Sequence, residues 1–292
     1  MLEDIIFFFQ SAPWAFYAIV LFLGLSFGSF LNVVAYRLPK IMERDWKLEC
    51  HEFLELEPPE LEDQLASLSL SSPASTCPHC GHKIRFWENI PVISYLFLKA
   101  KCSSCGAGIS MQYPAVELIT ALASLAVAYT FGVSLQTVVA LLFTWVLIAL
   151  TLIDIKKQLL PDDITLPLLW AGILLSFFDV FTNLTSSVIG AMAGYMILWS
   201  VYQLFKLLTR KEGMGFGDFK LLAALGAWVG FEYLPQIILI SSVVGSIIGI
   251  SMMLIGRIRQ QQPIPFGPYL AIAGWIALLW GETINNTYLS FL

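Results

Sequence analysis

Two acidic residues stand where acid is costly. Asp154 closes the apolar run in "ALTLIDIKKQLLPDDIT", and Asp218 opens another in "GMGFGDFK". A carboxylate within or beside hydrocarbon marks a candidate functional site, because the bilayer penalises its charge. A pair meeting at one water has a definite use: one takes a proton from the water, and the other donates to the carbonyl oxygen of a scissile peptide. Held a few ångströms apart, two carboxyls share one proton near neutral pH, since both cannot ionise cheaply. Gly213, Gly215 and Gly217 suit an extended peptide, because a residue without Cβ lets backbone approach backbone and tolerates positive φ. Capping accounts for either acid alone: Asp218 suits the start of a helix, and Asp154 has Lys156 and Lys157 beside it. Asp162 and Asp163, behind Pro161, read first as caps. The pairing of two acids with a glycine loop favours chemistry.

A second cluster has metal-ligand spacing. Cys77-Pro-His-Cys80 and Cys102-Ser-Ser-Cys105 are two CxxC knuckles separated by residues 81 to 101, close to the pattern in which each knuckle gives two thiolates to one tetrahedral zinc. Paired disulfides are the alternative, which a reducing cytoplasm disfavours. Four thiolates leave no open position for water, so a zinc ion at Cys77, Cys80, Cys102 and Cys105 is structural. His79 and His82 are lesser ligand candidates, and Cys50 stands apart.

The elements that must position these residues are membrane spans. Of 292 residues, 58% are hydrophobic and 13% charged, with a mean hydropathy of +0.76, which excludes an ordinary soluble domain. Runs of about 20 apolar residues, enough to cross about 30 Å of hydrocarbon, predict eight spans at 14–36, 114–131, 134–154, 162–180, 186–209, 219–232, 235–256 and 267–284. The expected fold is an all-α polytopic membrane protein with a small zinc-binding cytoplasmic domain between the first and second spans. With residue 1 outside and eight crossings, all 16 Lys and Arg residues fall on the cytoplasmic side, as the positive-inside rule requires. Both acids then sit at the cytoplasmic membrane edge. The N-terminus lacks the basic start of a signal peptide, so the first span is expected to be retained. The net charge of -5 gives no reason to expect a nucleic-acid partner. The expected domains are 1–36, a first span; 37–113, a cytoplasmic region with a helical start, a Ser-rich connector and the cysteine module; and 114–292, the membrane domain holding the acids.

The ordered set "GSFLNVVAYRLP" (28–39), the double CxxC, "WENIPVISYL" (87–96), "YPAVE" (113–117), "LIDIKKQLLPD" (152–162), "GMGFGDFK" and "PIPFGPYL" (263–270) resembles the type IV prepilin peptidase family, over nearly the whole chain. The resemblance implies a GxGD-type intramembrane aspartyl protease of the bacterial inner membrane, with Asp154 and Asp218 as catalytic aspartates. Such enzymes cut prepilins and pseudopilins on the cytoplasmic side, after a glycine that ends a short basic leader, and methylate the new N-terminus with S-adenosylmethionine. Gly215, Gly217, Asp162 and Lys220 are then expected to support the acids or the approach of substrate backbone. Glu43, Arg44 and Lys101 are the methyl-donor candidates in the cytoplasmic segment. Ala100 and Gln112 depart from the family pattern, which commonly has glycine and a basic residue there. "PIPFGPYL" is expected to be a Pro-stiffened entry to the last span rather than a substrate contact. A proton-coupled transporter using the same acids as a relay is the alternative, although no internal repeat supports it. A non-catalytic scaffold, in which the acids are dispensable, is the third reading.

Overall fold

Hydrocarbon offers no partner to a main-chain N–H or C=O, so an apolar chain satisfies its own by forming helices. The computed structural model describes residues 2–57, 59, 63–255 and 264–290, and among these the only β pairing is two isolated bridges. The basic residues Arg257 and Arg259, and Pro263 of the "PIPFGPYL" stretch, lie outside the described residues. The chain divides into two compact units, Met1–Thr137 and Val138–Leu292.

The first unit holds α1 (Leu2–Ser11), α2 (Pro13–Phe53), the short α3 (Asp63–Ala66) and α4 (Ile93–Phe97), and α5 (Gln112–Phe131). The first expected span and the helical stretch after it are one helix: α2 runs through 41 residues with Pro39 inside it, or about 60 Å at 1.5 Å per residue. It packs along α5 through glycines. A Cβ on Gly24 or Gly28 would lie 2.7 Å from the Cα of Ala121 or Glu117, the close approach that small residues four apart allow between membrane helices. The Ser-rich segment expected to be a flexible connector is pinned instead. Arg37, buried on α2, donates to the carbonyls of Ser69 (3.0 Å) and Pro73 (2.7 Å), and Arg44 to those of Leu65 and Leu68. A guanidinium carries five donors and so can hold several orphan carbonyls at once.

The second unit contains most of α6 (Leu135–Lys157), with α7 (Asp162–Ser176), α8 (Leu184–Thr209), α9 (Phe216–Val229), α10 (Leu234–Leu254) and α11 (Gly267–Ser290). All eight expected spans therefore fall on helices, of which α2, α5, α6, α8 and the segment Phe231–Leu254 are long and apolar enough to cross a membrane. Helix α9, with 14 residues, is the shortest of the eight, about 21 Å long at about 1.5 Å per residue. It is the centre of the unit: every residue from Leu221 to Val229 is buried. Its seam with α8 is again glycine, since a Cβ on Gly194 would lie 2.6 Å from the Leu222 carbonyl oxygen, and Gly190 and Gly226 meet backbone to backbone. On α10 the reverse holds. Leu239 and Ile247 are at least 60% exposed, an apolar surface that only lipid would cover in a chain of this hydropathy.

Candidate functional site

Asp218 is the third residue of α9, counted from its N-cap Gly215. The G-x-G-D spacing therefore puts the acid at the third position after the N-cap, where a carboxylate can turn back onto the N-cap main chain as in half a capping box. The aromatic rings of Phe216 and Phe219 pack with Tyr202 of α8, at centroid distances of 5.5 and 5.7 Å, and fix this first turn against α8. Asp154 lies one turn before the end of α6, and its Oδ2 accepts a hydrogen bond from the main-chain N–H of Gly267 at 3.0 Å. Both acids are buried, 5% and 8% exposed, and the charge of Asp154 acts on Asp218. Two acids separated by 63 intervening residues in sequence thus come within electrostatic reach of each other.

The supporting glycines act by space rather than by special dihedrals. Positive φ, which glycine tolerates, is not used in this loop: among the described residues the glycines with positive φ are Gly81, Gly106, Gly132 and Gly230, and Gly215 has φ −79°. A Cβ on Gly217 would lie 2.7 Å from Leu160 Cβ, whereas one on Gly215 would meet only Asp218 Oδ2, at an ordinary 3.8 Å. Gly217 is therefore a packing glycine, whereas Gly215 is exposed and lies at ordinary contact distance from the Asp218 carboxylate. Asp162, in the first turn of α7, forms a two-pronged ion pair with Lys220 of α9, at 2.7 and 2.6 Å, which ties the heads of α7 and α9 together beside the acids.

The four knuckle cysteines converge. Their sulfurs all lie within 4.8 Å of one another, and Cys77 Sγ is 3.9 Å from Cys105 Sγ, close to the sulfur separation of a tetrahedral site with metal–sulfur bonds of about 2.3 Å. The two knuckles are built alike. In each, the first cysteine's carbonyl accepts from a glycine N–H, Gly81 to Cys77 and Gly106 to Cys102, and that glycine has φ near +70°. Main-chain N–H groups of His79 and Cys80 bring the Cys77 thiol down to about 7, which readies it as a thiolate ligand. His82 is bonded to Glu88 rather than joining the sulfurs, and Glu88 also accepts from Ser103, so the pair bridges one knuckle to the other. The backbone N–H of Arg85 and the Ser103 hydroxyl hold the Glu88 carboxyl at about 2.

Of the methyl-donor candidates, Arg44 is committed to Asp45 and to the 65–68 carbonyls, and Lys101 pairs its backbone with Gly108 on the second knuckle. Glu43 is exposed on α2. Arg44 thus belongs to the contact between α2 and the 65–68 carbonyls, and Lys101 to the second knuckle. Sequence reading missed a polar cluster in the first unit: Glu117 accepts from the Val92 N–H (2.7 Å), and Gln112 donates to Asn32 Oδ1. The carboxyl inside an apolar helix was the available signal. It also passed over Gly267, whose backbone amide carries no side-chain signature.

Comparison with known proteins agrees with this anatomy. Residues 22–131 match the Bacterial Peptidase A24 N-terminal domain, and residues 141–250 match the Type IV leader peptidase family. Proteins called prepilin leader peptidase/N-methyltransferase are 57% identical in Pseudomonas aeruginosa, over 96% of both chains, 53% in Aeromonas hydrophila, over 95% of both, and 43% in Legionella pneumophila, over 96% of both. No solved structure matches the chain. The transporter reading gains no support from these relatives.

Proposed function

Since the chain belongs to the type IV leader peptidase family, we propose that it removes the basic leader from prepilins and pseudopilins and N-methylates the residue so exposed. The observation that carries the peptidase reading is the convergence of two buried carboxyls, Asp154 and Asp218, from the ends of two different helices. One carboxylate takes a proton from the attacking water while the other donates to the carbonyl oxygen of the scissile peptide, and the exposed Gly215 admits the extended substrate backbone. Gly217 and the Asp162–Lys220 pair keep the heads of α7 and α9 in register around the acids.

In this reading the active site faces the cytoplasm in the inner membrane, as the distribution of basic residues requires. Cys77, Cys80, Cys102 and Cys105 hold zinc, which supplies folding free energy to a module too small for a core of its own and takes no part in hydrolysis. S-adenosylmethionine supplies the methyl group to the new amine; no residue is assigned to hold it.

The deciding experiment is cleavage of a prepilin peptide by the purified chain. Asp154→Asn and Asp218→Asn are each expected to reduce cleavage by about a thousandfold or more while leaving thermal unfolding unchanged. Cleavage at the parental rate by either variant refutes the dyad.

A further inference from the structure

The "PIPFGPYL" stretch was expected only to stiffen the entry to the last span, yet it delivers a hydrogen bond to one of the two acids. We infer that the turn Phe266-Gly267-Pro268 is the element that positions Asp154, and that position 267 has to be glycine for the aspartate to take part in cleavage. This inference rests on the dyad reading above.

Three independent features carry it. The Gly267 N–H donates to Asp154 Oδ2 at 3.0 Å, and a main-chain donor on a carboxylate is a strong, directional bond. Tying one oxygen sets the direction of the other. Space is the second feature: a Cβ at 267 would lie 2.7 Å from Asp154 Oδ2, 3.2 Å from its Cγ and 3.2 Å from Leu160 Cδ1. Buried as it is, the carboxylate would have to turn away. The third is register. Trp275 of α11 donates to Thr144 Oγ1 of α6 at 3.0 Å, so α6 and α11 run antiparallel with 144 opposite 275 and 154 opposite 267. Gly274 seats α11 directly on Leu225 of α9, the helix that carries Asp218. Helix α11 is thus fastened to the carriers of both acids, and Pro268 in its first turn restricts the backbone of Gly267 and preorganises the start of the helix.

Gly215 differs in kind. A Cβ there meets Asp218 at ordinary contact distance, so of the two glycines that lie against the acids' carboxylates, only Gly267 is sterically obligatory.

The test uses the purified full chain and a prepilin peptide, with methylation of a pre-cleaved peptide and the thermal midpoint as companions. Gly267→Ala is expected to lower kcat by about tenfold to a hundredfold, the cost of a misplaced reacting group, with KM, methylation and midpoint unchanged. Pro268→Gly adds no atom beside Asp154 and is expected to lose kcat to a smaller degree; it decides the matter if the alanine variant fails to fold. The inference is overturned if both folded variants keep kcat within about twofold of the parent, or if kcat falls only together with methylation and midpoint, the mark of a general packing defect. Asp154→Asn run in parallel separates the two levels. If it cleaves normally, the dyad reading fails; if it is inactive while Gly267→Ala cleaves as the parent does, only the positioning role fails.

Discussion

Cys77 and Asp218 illustrate how a residue's neighbours convert an ordinary side chain into a reactive or ligating one. At Cys77 the two amides that follow in the CxxC turn point at the sulfur, so the knuckle lowers the thiol's proton affinity before any metal arrives. A cation bound by all four sulfurs, which lie within 4.8 Å of one another, offsets the charge of four adjoining thiolates. Cys77→Ser is therefore expected to lose about one bound zinc per chain, measured by elemental analysis of the purified protein. It should leave peptide cleavage largely intact, since the hydrolysis proposed here draws on Asp154 and Asp218 in the other unit. Undiminished metal content in that variant removes the site. At Asp218 the same economy appears in the G-x-G-D spacing, where one carboxyl serves the start of its helix and stays available beside the exposed Gly215.

Among the elements, α9 explains how a polar first turn survives in so apolar a unit. Its short length keeps Asp218 at one end, and burial of its remaining turns by α7, α8 and α11 makes its position rigid. The glycine seam decides that position. Gly226 of α9 meets Gly190 of α8 backbone to backbone, with no room for a side chain between them. Gly226→Leu is expected to destabilise the folded chain by about 1–3 kcal/mol or more through overpacking, read as a lower thermal midpoint in detergent. Cleavage should fall with it, because moving α9 moves Asp218. An unchanged midpoint refutes the seam. Helix α2 shows a different economy, in which Arg37 and Arg44 hold the 65–73 segment by its carbonyls, and a stretch that composition marks as loose becomes ordered.

At the scale of the whole molecule, each unit presents apolar side chains outward as well as inward, with glycines where two helices touch, unlike a water-soluble fold. The orientation proposed for it has a direct check. Glu232, at the head of the Phe231–Leu254 segment, belongs outside, and Lys211, after α8, belongs in the cytoplasm. In intact cells a membrane-impermeant maleimide is expected to label Glu232→Cys, whereas Lys211→Cys is labelled only after permeabilisation. The reverse pattern inverts the topology and removes the acids from the cytoplasmic edge.

Hydropathy, basic-residue placement and knuckle spacing determined by themselves that this chain is a helical membrane protein with a four-cysteine module, because bilayer thickness and ligand geometry act on short stretches. The G-x-G-D loop and the acid after "LTLI" were legible as a pair for the same reason: a carboxyl in an apolar run has few inexpensive explanations. Tertiary structure alone decided that α9 is a buried centre rather than an ordinary span, that Arg44 is spent on carbonyls, and that Gly267 holds Asp154 through 113 residues of separation. Those outcomes depend on backbone amides, carbonyls and the space beside a glycine, and none of these differs from one residue letter to the next until the helices are packed.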